Sequence, residues 1–186
     1  MQRLLLGDVG SGKTVVAALA ALQAIENGYQ VAFMAPTEIL AEQHYLKLRD
    51  WLAPLGIAPV WLSGSLKKKE KQFAAERIAS GETLLAIGTH ALFQEQVSFQ
   101  KLGLAIVDEQ HKFGVQQRLA LRAKGTEPHQ LMMSATPIPR TLAMSYYADL
   151  DVSVIDELPP GRTPVVTKLA SDARRDEVFA RVRAAC

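Results

Sequence analysis

Cysteine is almost absent. The single thiol in 186 residues is the last one, Cys186. No disulfide framework and no cysteine-built zinc site is therefore possible within the chain, and a reducing, cytoplasmic setting is favoured. Long apolar runs are missing as well. The longest fall far short of a bilayer span and no basic-then-apolar leader precedes them, so no membrane segment is expected. Charge of one sign is scarce: 21 Lys and Arg against 19 Asp and Glu leave a formal +2, too little to argue for nucleic acid by itself. Histidine is sparse, and His44, His90, His111 and His129 stand in different segments, so a histidine zinc site lacks partner ligands. There are no internal repeats and no low-complexity segment.

What remains is ordinary globular material, 48% hydrophobic and 22% charged, long enough to bury a core without staples. Short apolar runs alternate with amphipathic stretches. Strands are expected at 4–6, 31–35, 58–62, 84–88, 104–108 and 131–134, and helices at 14–27, 38–52, 68–80, 115–123 and 140–148. Strand–helix alternation predicts an α/β fold with a mainly parallel central sheet covered on both faces. Ligands then bind beyond the carboxyl ends of the strands. The strand ends here are chemically loaded: "GDVGSGKT", "APTE", "DEQH" and "SATP". From Leu150 onward the pattern changes. "DELPPGRTP" reads as a turn or linker, "VVTKLA" as a further strand, and a boundary is expected between Asp151 and Pro160. "RLLLGDVG" begins at once after Met1-Gln2, and "RRDEVFARVRAAC" stops inside a helical pattern, so a piece of a longer protein is expected.

"GDVGSGKT", Gly7–Thr14 (Gly7, Asp8, Val9, Gly10, Ser11, Gly12, Lys13, Thr14), fits the phosphate-loop pattern GxxxxGK[ST]. Its glycines let backbone N–H groups turn inward around phosphate oxygens, and the following helix aims its positive end at the anion. Lys13 is placed to reach the β- and γ-phosphates of ATP, and the Thr14 hydroxyl to bind Mg²⁺. "IVDEQH" supplies the complement. Asp108 at a strand end suits Mg²⁺, which keeps much of its hydration and takes one or two carboxylates, and Glu109 suits orienting or deprotonating the attacking water. Alone, "DE" is a solvated turn; paired with the phosphate loop it points to hydrolysis. Ser134, Ala135 and Thr136 end another strand, where Ser134 and Thr136 could bond to Gln110 and His111 and couple two loops. Thr37, Ser63, Ser65, Thr89 and His90 lie at strand ends or helix starts, where hydroxyls and N–H groups either position a phosphate backbone or serve as ordinary caps. "LKKKEKQ" (66–72) is a DNA contact or a solvated helix start. Trp51, Trp61 and Phe33 read as packing rather than base-stacking platforms.

Taken in order, "GDVGSGKT", "APTEILAEQH", "GTHALFQ", "IVDEQHKFG" and "MSATPIPRTLA" resemble the first motor domain of a superfamily-two helicase over nearly the whole chain. The resemblance implies a RecA-like P-loop NTPase three-layer sandwich, with residues 1–150 as motor domain 1 and 151–186 as a linker and the truncated start of a second motor domain. It assigns Gly10, Gly12, Lys13 and Thr14 to Walker A, and Asp108 and Glu109 to Walker B. It makes Gln110 and His111 the tail of a DExH box that senses nucleotide and contacts Ser134–Thr136. It places Pro36, Thr37, Glu38, Ser63, Gly64, Ser65, Gly88, Thr89 and His90 against the DNA backbone. Leu6 departs from an expected Gln and Lys112 from an expected Arg. "PTEILAEQH", "DEQHKFGVQQR" and "DELPPGRTP" narrow the likeness to bacterial helicases that remodel stalled forks and Holliday junctions. Transcription-repair coupling factors, the alternative, tend to carry a second Glu where Gln110 stands. The resemblance further implies ATP and Mg²⁺, a monomer without a membrane partner, and two absent parts. These are a second RecA-like domain supplying an arginine and a wedge domain that recognises branched DNA. This stretch alone is then expected to turn ATP over poorly. Competing classes are an ATP-switched binding module and a small-molecule kinase.

Overall fold

The computed structural model describes residues 1–94, 96–109, 128–136, 150–157, 167 and 169–185. Among these residues seven strands build one sheet: β1 (Gln2–Gly7), β2 (Gln30–Met34), β3 (Val60–Leu62), β4 (Leu85–Gly88), β5 (Leu102–Val107), β6 (His129–Ser134) and β7 (Asp151–Ile155). Their order is β3-β4-β2-β5-β6-β1-β7 and every pairing is parallel. Among the described residues the helices are α1 (Lys13–Glu26), α2 (Glu38–Leu52), α3 (Lys68–Ala79) and α4 (Arg175–Ala185), and 3₁₀ turns include His90–Phe93.

Period-two alternation sorts the strand residues into two layers. Val31 and Phe33 of β2, Leu85 and Ile87 of β4, and Leu104 and Ile106 of β5 share one core cluster with Ala17, Ala18, Ala21 and Ile25 of α1 and Leu48 and Leu52 of α2. Met34, Ala86, Ala105 and Val107 face the other way, into a cluster with Ala74 and Ile78 of α3 and Ala91 and Leu92 of the 3₁₀ turn. Alanines at the α1 contact let that helix lie close on the sheet. β2 is buried at every residue, as a strand covered on both faces must be. Its polar first residue, Gln30, is fully bonded. Its amide donates to the Ile78 and Thr83 carbonyls at 2.7 and 2.8 Å and its oxygen accepts from Lys101 N–H at 3.0 Å. Of the three aromatics read as packing, Phe33 is fully buried, Trp61 is half-buried against Tyr45 at 5.7 Å, and Trp51 is partly exposed under Lys47.

The sequence reading missed β7. Arg3↔Asp151 to Gly7↔Ile155 are in parallel register, and Arg3 reaches across to Ser153 at 2.7 Å and Asp151 at 3.3 Å. The sheet therefore runs on to Ile155, inside the stretch 151–160 where the pattern of the sequence changes. In the expected strand "VVTKLA", Thr167, Leu169 and Ala170 have no regular structure. Its remaining residues, and the helices expected at 115–123 and 140–148, lie outside the described residues. Among the described residues no helix is long and apolar enough to cross a membrane.

Candidate active site

All the chemically loaded strand ends emerge at one edge of the sheet. Leu6 pairs with Ser134 and Val107 with Met132, so Gly7 and Asp108 leave that edge within two residues of the same level. β1 and β5 flank β6, which sets them roughly 10 Å apart at two strand spacings. That gap suits a triphosphate between the two loops.

After β1 the chain turns through Gly10 (φ 85°) and Gly12 (φ 99°), conformations that cost a side chain about 1 kcal/mol or more. Gly12 caps α1, its carbonyl accepting from Val15 N–H at 2.9 Å and Val16 N–H at 3.2 Å. Lys13 folds back over the loop: its ammonium donates to the Gly7 and Asp8 carbonyls at 2.8 and 2.9 Å. A phosphate entering the loop would offer stronger, charged acceptors to the same ammonium. The Ser11 hydroxyl is buried with no hydrogen-bond partner among the described residues. An orphaned donor within a phosphate-loop turn fits an incoming anion. Beside the loop, Leu6, Gly7, Asp8, Ala135, Thr136, Val154 and Ile155 line a cavity of about 400 Å³. A larger one, about 540 Å³, lies at the opposite end of the strands between Ala20, Gln23, Leu102, Gly103 and His129. None of the residues read as phosphate-binding or catalytic lines it.

Asp108 follows β5 and is 7% exposed. Its Oδ1 accepts from Glu109 N–H at 2.9 Å and its Oδ2 from His44 Nε2–H at 2.7 Å. Glu109 takes φ 49°, left-handed without being glycine, a strain that clusters at functional turns. Gln110 and His111 lie outside the described residues. Ser134 and Thr136, expected to meet them, bond to each other: the hydroxyls are 2.8 Å apart and Thr136 N–H donates to Ser134 Oγ at 3.2 Å. Thr14 sits in the first turn of α1, and Asp108 and Thr14 offer the oxygen donors Mg²⁺ takes. Among the described residues no group of three His, Cys, Asp or Glu could hold a metal ion unaided. Phosphate oxygens and water would supply the remaining ligands.

His44 is a residue the sequence reading passed over as isolated. It is buried, bonds Asp108, and packs against Phe33 with the rings tilted at 46° and their centroids 4.7 Å apart. The signal was present in α2, whose buried residues Ala41, His44, Leu48 and Leu52 form one helical stripe.

Of the residues read as DNA-facing, five meet at the α2 and β3 ends. Thr37 caps α2 by accepting from Leu40 N–H at 3.3 Å. Glu38 accepts from Ser65 N–H at 3.0 Å, Ser63 and Ser65 share a 2.8 Å hydroxyl contact, and Lys71 holds the Gly64 carbonyl at 2.6 Å. Pro36 precedes them. Gly88 ends β4, Thr89 is buried with no hydroxyl partner among the described residues, and His90 is exposed at the start of the 3₁₀ turn. The Glu38 carboxyl lies below the usual glutamate range. The Ser65 hydroxyl bond is the largest cause, the Ser65 N–H, Ser63 and Lys71 add to it, and partial desolvation opposes them. A lowered carboxyl contributes stability that is present above the ordinary range and lost as pH falls through the lowered value. We expect carbon-detected NMR to find the Glu38 midpoint below that of an unperturbed glutamate, and Ser65→Ala to raise it. An unmoved midpoint in Ser65→Ala would remove Ser65 as the cause.

A phosphate loop and an Asp-Glu strand end on a parallel seven-stranded sheet define a class, the RecA-like nucleotide-dependent motors. Residues 2–145 match the DEAD/DEAH box helicase family, and the chain belongs to it. Within that family its likeness is to RecG. The ATP-dependent DNA helicase RecG of Haemophilus influenzae is 62% identical over 190 residues that cover 100% of this chain and 27% of the relative. That of Pasteurella multocida is 63% identical with the same coverage. A solved structure of RecG bound to a three-way DNA junction superposes with a TM-score of 0.79 at 48% identity, over 98% of this chain and 24% of that one. The helicase MrfA bound to DNA and AMPPNP shares the fold at a TM-score of 0.67 and 18% identity, over 97% of this chain and 29% of that one. The chain thus spans about a quarter of the length of the curated relatives it matches.

Proposed function

We propose that the chain is the ATP-binding first motor domain of an ATP-dependent DNA helicase. The whole protein would remodel branched DNA, stalled forks and Holliday junctions, in recombination and repair in the cytoplasm. The observation that carries this reading is the placement of Gly7–Thr14 and Asp108–Glu109 at one sheet edge, about two strand spacings apart. The RecG likeness supports the choice of track.

In this reading the loop N–H groups and Lys13 bind the β- and γ-phosphates, Lys13 exchanging its two loop carbonyls for phosphate oxygens. Thr14 and Asp108 hold Mg²⁺, which when bound neutralises charge on the phosphates. Glu109 orients the attacking water and accepts its proton. Gln110, His111 and Ser134–Thr136 report the state of the nucleotide. The loops at Pro36–Glu38, Ser63–Ser65 and Gly88–His90 hold the DNA backbone without reading sequence. Residues 1–155 form the first unit, and the remainder leads to a second RecA-like domain whose arginine completes the site. A wedge domain elsewhere in the same monomeric protein selects branched DNA.

The test is ATPase activity of the full-length protein with forked DNA and with RNA of matched length. We expect forked DNA to stimulate turnover severalfold and RNA to leave it near the basal rate, with stimulation falling as salt rises. Preference for RNA would sink the assignment.

A further inference from the structure

The Asp108 carboxylate is held from two sides, by the backbone N–H of Glu109 and by His44 from α2. The first donor is on the same turn and comes with the strand end. The second crosses from a helix 64 residues earlier in the chain, and nothing in the roles assigned above uses it. An ionised carboxylate only accepts, so the proton between them belongs to His44 Nε2. Phe33, fully buried on β2, packs against the imidazole, and both side chains of the pair are about nine-tenths buried. Among the described residues each oxygen has one donor, which leaves it a lone pair for a further ligand, with the carboxylate plane fixed. The same helix begins at Glu38, whose carboxylate holds Ser65 N–H.

We propose that His44 is a positioning residue for the metal-holding carboxylate. It fixes the Asp108 Oδ2 from α2, so that Asp108 meets the Mg²⁺ of a bound nucleotide already oriented. The inference rests on the nucleotide-site reading given above. Outer partners that hold a ligand side chain typically contribute 10–100-fold in metal affinity or activity.

The experiment is equilibrium binding of a fluorescent ATP analogue to the full-length protein, titrated with Mg²⁺, alongside thermal unfolding. His44→Phe keeps a ring against Phe33 and removes the donor. His44→Gln restores an N–H donor the same number of bonds from Cβ. We expect His44→Phe to need about tenfold more Mg²⁺ for half-saturation, His44→Gln to stay near wild type, and Mg²⁺-free nucleotide binding to be alike in all three. If His44→Phe does not fold, His44→Asn, whose amide falls one bond short, takes its place with the same expectation. A donor-lacking variant with wild-type Mg²⁺ dependence overturns the inference, as does a folded His44→Gln that recovers nothing. Absence of Mg²⁺-dependent binding in the wild type overturns the nucleotide-site reading, and the inference with it. That outcome is distinct from indifference in the variants.

Discussion

Glu109→Gln is expected to lower DNA-stimulated turnover in the full-length protein by about 10²–10⁴-fold, the range that a positioned general base contributes, while nucleotide binding persists. The substitution is nearly isosteric, so the left-handed backbone at φ 49° costs the amide about what it costs the acid. The bond that orients Asp108 from this residue comes from the Glu109 backbone N–H, not its side chain, and it survives the change. The phosphate loop lies two strands away and is untouched. What is lost is a group able to take a proton from water at the strand end. Steady-state turnover and analogue binding, measured on one preparation, separate the outcomes. Turnover at the wild-type rate would remove Glu109 from the chemistry. Loss of binding along with turnover would make it structural. The same variant divides a motor from an ATP-switched clamp. A clamp should keep its ATP-dependent grip on DNA when hydrolysis stops, and a motor should bind DNA but cease to move.

The parts of this site that were legible in the sequence are those whose chemistry is local. Gly7–Thr14 needs only a strand, a turn and a helix start in succession, and each is written in consecutive residues. Asp108 and Glu109 are legible because an apolar run stops on them. β2 is legible because burial on both faces demands five residues that avoid solvent. β7 was not, because an edge strand paired on one side needs no apolar run. "DVSVI" is mostly exposed, and its place is set by parallel pairing with β1, about 148 residues away along the chain. His44 was missed for the same kind of reason. Its stripe on α2 marks it as buried, but what a buried imidazole bonds is decided by the strand opposite, and only the sheet order brings β5 beside β2. Pairings between side chains distant in sequence are settled by tertiary packing, which motif spacing does not encode.

Gly88→Ala should be among the most damaging single-methyl changes in the chain. Gly88 ends β4 opposite Leu62 of β3, and a Cβ there would run into the Leu62 carbonyl oxygen and carbon. Relief by backbone rotation is closed off. The Gly88 carbonyl accepts from Ala35 N–H at 3.1 Å on the β2 side, and the Leu62 carbonyl accepts from Thr89 N–H at 3.3 Å on the β3 side. The strand is pinned between two neighbours, so the expected cost is about 3 kcal/mol, the upper part of the overpacking range. For a unit of this size that is roughly a 10 °C fall in the unfolding midpoint. Gly64→Ala is the control. A Cβ there meets nothing closer than Glu38 Oε1 at 3.7 Å, an ordinary contact, and the change should stay within about 0.5 kcal/mol. The location of the damage is itself a test. β4 is four positions from β1 in the sheet, so Gly88→Ala at a temperature where it remains folded should shift Ser63–Ser65 and Thr89 while leaving Gly7–Thr14 in place. DNA stimulation of the ATPase should therefore weaken more than nucleotide binding. Equal loss of both would mean that the strand ends do not act as separate nucleotide and DNA faces.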